Sequence, residues 1–229
     1  MQTEEPYWLE EAYTSAITAL DIGLLHRNIS LTPVTISLIS NVFNRSGKFI
    51  DYGGGYGIFT RMMRDKGFDF YRYDIYCENL FAKHFDVSDV SSDEKFELLT
   101  AFEVFEHLAD PGAELKKMLA YTDAIFFSTE ICPPVLSHVK QWWYFIPTTG
   151  QHISFYSLSA LNILAKKNNL NFYTNGRNLH LFTKKKLQPR LFRLLISYRF
   201  SKYYSLFRKH GSYLDEDYEL IKNKDSEKY

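Results

Sequence analysis

Four residues that could bind a ligand or take part in chemistry occur at alternate positions in one short stretch of the sequence. A short apolar run at 48–51 ends in Asp51 and is followed by Gly53, Gly55 and Gly57. The next segment, 58–66, has apolar residues at helical spacing. Glycines let the main chain turn sharply and approach a ligand, while the amino end of the following helix points towards that ligand. The stretch therefore predicts a strand, a glycine turn and a helix that together hold a small molecule.

A second acidic residue, Asp74, ends the next apolar run of the chain, at 68–73. At this distance from a glycine turn, an acidic side chain accepts hydrogen bonds from the ribose hydroxyls of a bound nucleoside. A lone aspartate is more often a turn former, but its occurrence together with the glycine turn favours nucleoside binding. A dinucleotide fingerprint would have its third glycine at position 58, where the chain has Ile58, so the pattern departs from a nicotinamide site.

Strands and helices are predicted to alternate along most of the chain. Such alternation predicts an α/β fold with right-handed crossovers and a doubly wound, mostly parallel sheet. The last two strands are too close in sequence for a helix between them, so we predict a terminal antiparallel strand. The predicted strands are 48–51, 68–73, 96–101, 124–128, 171–174 and 179–183. The predicted helices are 34–43, opened by Thr32-Pro33, then 58–66, 77–83, 111–121 and 157–168, and an earlier one is opened by Pro6.

Length and charge limit the classes of protein to which the chain can belong. It has 229 residues, 27 basic and 27 acidic residues, two cysteines and no apolar run near the ~18 residues of a spanning helix. The acidic start lacks the features of a signal peptide, so we expect a reducing compartment, the cytoplasm. Residues 1–183 hold 15 basic and 21 acidic residues, and 184–229 hold 12 and 6, so the acidic body argues against nucleic-acid binding.

The order of these motifs resembles a known family. The chain is similar to the class I S-adenosylmethionine-dependent methyltransferases, which have a Rossmann-like fold, and within them to the branch of ubiquinone-type, small-molecule and sugar methyltransferases. The similarity runs from about residue 48 to 184, and the segment 6–28 resembles chains of this branch that are associated with surface polysaccharide genes. It is carried by the glycine turn, by Asp74 and by residues 96–111, which read FELLTAFEVFEHLADP.

The resemblance implies S-adenosylmethionine as the cofactor and a role for each matching position. The main chain from Gly53 to Gly57 would face the methionine part, with Asp51 orienting the turn or the amino group, and Asp74 would hold the ribose. Phe102 and Glu103, after the predicted strand 96–101, would flank the methionine end. Together with the helical pattern of the first residues and the basic composition of the last ones, the resemblance predicts three parts, namely a helical segment at 1–44, the cofactor-binding domain at 45–184 and a basic helical tail at 185–229.

Methyl transfer to a hydroxyl needs a group that removes the hydroxyl proton. His152 is the first candidate, because it lies in the segment that follows the predicted strand 124–128 and because histidine titrates near neutral pH. The alternative for His152 is a hydrogen bond that only fastens its segment. His107 is the second candidate, although packing against the cofactor or pairing with Glu103 is the simpler interpretation. Glu130 is the third.

Three consecutive aromatic residues, Trp142, Trp143 and Tyr144, lie in the long connection between the predicted strand 124–128 and the predicted helix 157–168. Connections longer than ~15 residues are usually functional or disordered. The rings either pin this connection to the core or form a lid that excludes water and binds a flat face of the acceptor. We predict that they bind substrate, with the pinning role left open.

We expect no metal ion. The histidines and cysteines are dispersed in the sequence, and the stretch of Glu103, Glu106 and His107 lacks the second histidine of a zinc-binding helix. The strand 96–101 also lacks the motif of methyltransferases that act on planar nitrogens, since it ends in Ala101-Phe102-Glu103. The charge and this motif both disfavour nucleic-acid modification.

The tail is basic and amphipathic, and no acidic residue occurs between Lys184 and Asp215. Such a helix lies on an anionic membrane surface, for example the inner face of a cell membrane, or binds a protein partner. Alternatively it packs back on the acidic body, with exchange between two copies making a homodimer. The basic residues concerned, within 184–209, are Lys184, Lys185, Lys186, Arg190, Arg193, Arg199, Lys202, Arg208 and Lys209.

The function expected from the sequence is O-methylation of a small molecule, above all a sugar or a polysaccharide precursor. A quinone-like phenol or another small metabolite is the alternative acceptor. A protein that binds the nucleoside without catalysis and recruits partners through its tail is the alternative from another class.

Overall fold

One six-stranded sheet organises the residues that the computed structural model describes, which are 21–149, 151–207 and 211–226. The strand order is β2-β1-β3-β4-β6-β5; the first four strands in the chain are parallel, and β6 is antiparallel to both β4 and β5. The mostly parallel sheet with an antiparallel strand is thereby confirmed. The strands are β1 (Lys48–Tyr52), β2 (Asp69–Tyr73), β3 (Phe96–Phe102), β4 (Ala124–Ser128), β5 (Asn171–Thr174) and β6 (Leu179–Thr183).

Seven α-helices accompany this sheet within the described residues. Three short 3₁₀ helices lie in the connections, at Val87–Asp89, Phe105–His107 and Leu136–Gln141. The α-helices are α1 (Leu24–Val42), α2 (Ile58–Arg64), α3 (Pro111–Tyr121), α4 (Leu158–Lys167), α5 (Pro189–Leu195), α6 (Tyr198–Phe207) and α7 (Leu214–Ser226).

The sheet is covered on both faces, as the alternation of strands and helices predicts. Phe49 of β1 packs on one face with α1, α2 and α5, whereas its neighbour Ile50 packs on the other face with α3 and α4. Both side chains are fully buried, because successive residues of a strand point to opposite faces. This arrangement leaves the carboxyl ends of β1, β2, β3 and β4 at one edge of the sheet.

The predicted helix at 77–83 is wrong, since these residues form turns. The carboxylate of Asp74 accepts hydrogen bonds from the main-chain N–H groups of Tyr76 and Cys77, both at 2.8 Å. Asn79 accepts one from the N–H of Ala82 at 2.9 Å. Short polar side chains that bond to nearby main-chain groups compete with helix formation, which explains the difference.

The predicted start of a helix at Thr32-Pro33 is also wrong, because α1 begins at Leu24 and contains Pro33. The hydroxyl of Thr32 donates to the carbonyl of Asn28 at 2.8 Å instead of capping a helix end. Packing of α1 against α2, α5 and α6 outweighs the helix bond that a proline cannot make. The helix predicted to open at Pro6 lies outside the described residues.

The tail is packed against the body. Phe192 and Leu195 of α5 belong to the core beside α1, and Arg64 of α2 donates two hydrogen bonds of 2.7 Å to Asp217 of α7. The division of the chain at 184/185 and the membrane or protein contact through 184–209 stay predictions. In the described part of the chain, no helix has the length and apolar character needed to cross a bilayer.

Candidate functional site

The glycine turn links β1 to α2 at the carboxyl edge of the sheet. Gly53 has a φ of 69°, in the left-handed region that favours glycine, and a Cβ there would lie 2.7 Å from Cγ2 of Val104. The main-chain N–H groups of Gly53 and Gly54 donate to the carbonyl of Tyr73 at 2.8 and 3.2 Å. The turn is therefore fixed against the end of β2, with its backbone exposed to the cavity described below.

Arg72 fastens this turn, a role that was not predicted from the sequence. Its buried guanidinium donates to the carbonyls of Gly55 and Cys77 and, at 2.7 Å, to Oδ1 of Asp86. The signal available in the sequence was a charged residue inside the apolar run that forms β2. We infer that Arg72 holds the glycine turn and the segment after β2 in one arrangement.

Asp74 joins the same two segments through its carboxylate. Oδ2 accepts from the N–H of Gly55 at 2.9 Å, while Oδ1 accepts from the N–H groups of Tyr76 and Cys77. The residue lines the cavity beside the glycine turn. A carboxylate oxygen has more than one lone pair, so these contacts leave acceptor capacity for ribose hydroxyls.

We expect Asp74→Ala to weaken binding of S-adenosylmethionine by about 10–100-fold. Hydrogen bonds to a charged group contribute roughly 1.5–3 kcal/mol, and the turn also loses a fixed contact. Isothermal titration calorimetry measures the change. Asp123→Ala is the matched control, because it removes an exposed carboxylate just before β4, at the opposite edge of the sheet. Equal affinity in the Asp74 variant and the wild type would contradict the ribose role.

Asp51 lies beneath the turn and is only 3% exposed. The hydroxyl of Thr100 donates to its Oδ1 at 2.8 Å. Burial raises the pKa of Asp51 from 3.8 to about 7, and the negative charge of Asp74 adds to this, whereas the bond from Thr100 opposes it. Asp51 is therefore poised to change its charge near neutral pH, and it lines the cavity.

Gly57 has a different position from the other two glycines. Its φ is 87° and it precedes the first residue of α2. A Cβ there would lie 2.7 Å from Oδ1 of Asn79 and 3.1 Å from the main-chain N of Ala82. Gly57 does not line the cavity. It lets the segment after β2 approach the turn, and its direct contact with the cofactor stays a prediction.

A cavity of about 780 Å³ extends from the glycine turn to the long connection between β4 and α4. The amino end of α1 also contributes, through Asp21 and Arg27, whose side chains form an ion pair of 2.6 Å. This part of the cavity wall was not predicted from the sequence. Of the predicted site residues, those that line the cavity are Asp51, Gly53, Gly55, Asp74, Phe102, Glu103, His107, Trp143, Tyr144 and His152.

Two other predicted site residues lie elsewhere. Trp142 packs against Phe155, with ring centroids 5.4 Å apart, and does not line the cavity. Glu130 lies outside the lining as well, with its carboxylate 3.7 Å from the guanidinium of Arg177. This placement favours the pinning role for Trp142, while the roles of Trp142 in substrate binding and of Glu130 as a base stay predictions.

Glu103 connects the end of β3 to the long connection. Its φ of 53° is unusual for a residue with a side chain, and its N–H donates to Oγ of Ser128 at 2.8 Å. The hydroxyl of Ser128 in turn donates to Oε1 at 2.6 Å, and the hydroxyl of Tyr144 donates to Oε2 at 3.3 Å. Phe102, the preceding residue, packs edge-on against Phe59 at 5.1 Å. These contacts hold the Glu103 carboxylate at the cavity wall.

His107 and His152 meet on the wall of the cavity, with ring centroids 4.9 Å apart. Nδ1 of His107 lies 3.0 Å from the carbonyl of Gln151, and Nδ1 of His152 lies 2.8 Å from the carbonyl of Tyr144. Burial, and then the neighbouring His152, lowers the pKa of His107 to about 4. Burial also lowers the pKa of His152. Both imidazoles are therefore neutral near pH 7, so each ring has a lone pair, and the lowered pKa also makes each ring a weaker base than a free imidazole.

The shape and chemistry of the cavity fit a nucleoside cofactor that carries an amino acid. Its volume lies within the ~300–1,000 Å³ that is usual for small-molecule sites. Gly53 and Gly55 present bare main chain, Asp74 presents a carboxylate, and Asp51 lies below the turn. His107 and His152 line the same cavity.

Comparisons with known proteins agree with this arrangement. A family model described as a methyltransferase domain matches residues 26–175, more than half of the chain. No curated protein matches. One similar structure is a chain in the complex between the Haloferax volcanii Trm112 methyltransferase activator and the putative methyltransferase. It has 13% identity and a TM-score of 0.53, and the match covers 81% of this chain and 100% of that chain.

A second similar structure is the plantazolicin methyltransferase BpumL in complex with a monoazolic desmethylPZN analog and SAH, the product form of S-adenosylmethionine. It has 12% identity and a TM-score of 0.52, and the match covers 78% of this chain and 93% of that chain. At such identities the structural likeness establishes the fold, while the family model establishes the family. The chain belongs to the S-adenosylmethionine-dependent methyltransferases.

Proposed function

We propose that this methyltransferase acts on a hydroxyl of a small molecule, above all a sugar or a precursor of a surface polysaccharide, in the cytoplasm. The observation that carries the proposal is the pair of neutral imidazoles, His107 and His152, in the same cavity as the glycine turn. An imidazole of this kind accepts the proton that a hydroxyl must lose when its oxygen is methylated.

S-adenosylmethionine supplies a methyl group that is already activated by its positive sulfur. The chain's own residues then have two tasks, which are to orient the acceptor and to receive its proton. A carbonyl oxygen only accepts hydrogen bonds, so Nδ1 of His152 carries the hydrogen that faces the carbonyl of Tyr144. Nε2 of His152 consequently has the lone pair, and we assign it the acceptor's proton. His107 supports this ring from its edge.

A sugar acceptor is favoured by two other features of the cavity lining, an aromatic ring and an ion pair. Trp143 lines the cavity and is 65% exposed, so its ring is available to a ligand. The ion-paired Asp21 and Arg27 offer both hydrogen-bond acceptors and donors in the same cavity. An aromatic ring beside paired polar groups suits a molecule with a flat carbon face and many hydroxyls. A quinone-like phenol would use the ring but has fewer hydroxyls to form hydrogen bonds with these polar groups.

The test is a screen of acceptors with the full chain and S-adenosylmethionine labelled in its methyl group. The panel contains nucleotide sugars, free glycans, quinone-like phenols and small amines, and transfer of the label is measured. Methylated sugar hydroxyls support the proposal, whereas exclusive methylation of phenols or amines rejects the acceptor class. Cofactor binding without transfer to any member of the panel would favour the non-catalytic scaffold.

Truncation of Trp143 tests its contact with the acceptor. We expect Trp143→Ala to raise the KM of the acceptor about 3–10-fold, since aromatic contacts contribute about 0.5–1.5 kcal/mol, and to leave the affinity for S-adenosylmethionine unchanged. Steady-state kinetics and thermal unfolding measure the two effects. Trp142→Ala is the matched control, because this neighbouring ring packs on Phe155 outside the cavity. A lower melting temperature with an unchanged KM would show that Trp143 only pins the connection.

A further inference from the structure

Three side chains with metal-binding atoms converge beside the cavity. Glu106, His107 and His152 each offer one ligand atom, and these atoms lie within 4.8 Å of one another. Glu106 and His107 belong to the 3₁₀ helix after β3, whereas His152 comes from the long connection before α4. The N–H groups of Ile153 and Ser154 donate to the carbonyl of Glu106 at 2.8 and 2.9 Å, which locks the two segments together.

Both imidazoles are oriented in the manner of metal ligands. Each Nδ1 faces a main-chain carbonyl, that of Gln151 for His107 and that of Tyr144 for His152. A carbonyl cannot donate, so each Nδ1 bears the hydrogen and each Nε2 bears a lone pair. Metal-binding histidines almost always donate their second ring N–H to such a partner, which fixes the tautomer and the ring direction.

The carboxylate of Glu106 provides an independent observation. The residue is 0% exposed, and neither of its oxygens makes a hydrogen bond of normal geometry. The hydroxyls of Tyr144 and Thr129 lie near enough to interact with its charge, but at poorer geometry. A buried carboxylate costs much free energy unless a cation or hydrogen bonds compensate it. A cation bound next to Glu106 would provide this compensation.

We propose that Glu106, His107 and His152 bind one divalent transition-metal ion, with zinc as the ion that suits two imidazoles and one carboxylate. Magnesium is disfavoured, because it prefers oxygen ligands. Three protein ligands leave an open position, and both histidines line the cavity, so the open position faces the acceptor. No metal was expected because the histidines are dispersed in the sequence and no second histidine follows Glu106 and His107 nearby, whereas His152 comes from a distant segment.

This inference rests on the proposed function for the role of the ion, but not for its binding. With the ion in place, the lone pair of His152 would be committed to the metal. The ion would hold the acceptor hydroxyl and lower its pKa, and the proton would leave to water. Direct proton transfer to His152 is then the behaviour of the metal-free protein. The two states differ in metal content and are separable by experiment.

The experiment is a titration of the full chain, prepared without a histidine tag and treated with a chelator, with zinc alone. We expect one ion per chain, measured by calorimetry in competition with a chelating dye. Cobalt added in place of zinc should give visible absorption bands of a low-coordinate site. The absence of one-to-one binding in these titrations would overturn the proposal.

Variants identify the ligands. His152→Ala and the isosteric Glu106→Gln should each weaken zinc binding by more than about 100-fold, because even the loss of an outer partner costs 10–100-fold. His138→Ala removes an exposed histidine outside the cluster and should leave the affinity unchanged. Circular dichroism and cofactor titration confirm that each variant is folded. Wild-type affinity in both ligand variants, or an equal loss in the His138 variant, would overturn the proposal.

Activity separates this proposal from the proposed function. If the chelator-treated chain takes up no zinc and still methylates a hydroxyl at full rate, the metal proposal fails and the proposed function stands. If zinc binds through the three residues and stimulates methyl transfer, both are supported. If zinc binds and no hydroxyl in the panel is methylated, the site stands and the proposed function fails.

Discussion

Replacing His152 by alanine is expected to lower kcat by about 10²–10⁴-fold, the usual contribution of a positioned acid or base. The acceptor hydroxyl loses its proton acceptor in the metal-free protein, or one ligand of the ion that polarises it. The residues predicted to contact the cofactor, in the glycine turn and at Asp51 and Asp74, belong to other segments. The affinity for S-adenosylmethionine should therefore change by less than about twofold. The corresponding change in binding free energy is well below the 1.4 kcal/mol of a tenfold change in affinity.

Single-turnover kinetics and calorimetry measure these two effects on the same preparation. His138→Ala is the matched control, since it removes an exposed histidine from the same long connection. A wild-type kcat in the His152 variant would reject the assignment. His107→Ala would then be the decisive variant, because His107 is the other imidazole on the cavity wall. Glu130, the third candidate, lies by Arg177 outside the lining.

The part of the site that follows β1 and β2 was predictable from the sequence because it is local. The glycine turn, its strand and its helix are contiguous, and β1 pairs directly with β2, so Asp51 and Asp74 reach the same edge. Residue type and spacing carry this information. The alternation of strands and helices likewise predicted the sheet and its antiparallel strand, with boundaries close to those of the structure.

The rest of the site depends on contacts between distant segments. His152 meets His107 because the main chain after residue 150 bonds to the carbonyl of Glu106, and no spacing rule encodes that pairing. The ion pair of Asp21 and Arg27 reaches the cavity because α1 starts eight residues earlier than Thr32 suggests, at Leu24. Trp142 and Trp143 are adjacent in sequence, yet only the latter lines the cavity. Side-chain direction in an irregular segment follows from tertiary packing.

Asp51 and Arg72 show how the turn is held ready for its cofactor. The guanidinium of Arg72 donates hydrogen bonds to the carbonyl of Gly55, in the glycine turn, and to that of Cys77, in the segment after β2. The carboxyl of Asp51 is buried below the turn. Because the raised pKa of Asp51 results mainly from burial, the ionised form is disfavoured until a positive group comes near. The amino group of the cofactor is such a positive group, so binding is expected to draw the proton from Asp51.

Asp51→Asn is expected to stabilise the cofactor-free protein at pH 8 and to remove a pH dependence of cofactor binding. The pKa of Asp51 in the folded protein, about 7, is above its ordinary value of 3.8, so protonation favours the folded state. This contribution is fully present below about pH 4 and is lost as the pH rises through 7. At 1.36 kcal/mol per pKa unit, the free energy of unfolding at pH 8 should rise by as much as about 4 kcal/mol in the variant.

Cofactor affinity gives the second readout of Asp51. In the wild type, the dissociation constant should increase about tenfold for each pH unit below 7, because the cofactor must displace a proton, whereas the variant should show weaker and nearly pH-independent binding. Denaturant unfolding and calorimetry between pH 5 and 8 measure both effects. Asp123→Asn, at an exposed carboxylate paired with Lys184, is the control and should change neither. If Asp51→Asn left the difference in stability between pH 5 and pH 8 as it is in the wild type, Asp51 would not be the group that titrates, and its charge would have no part in binding the cofactor.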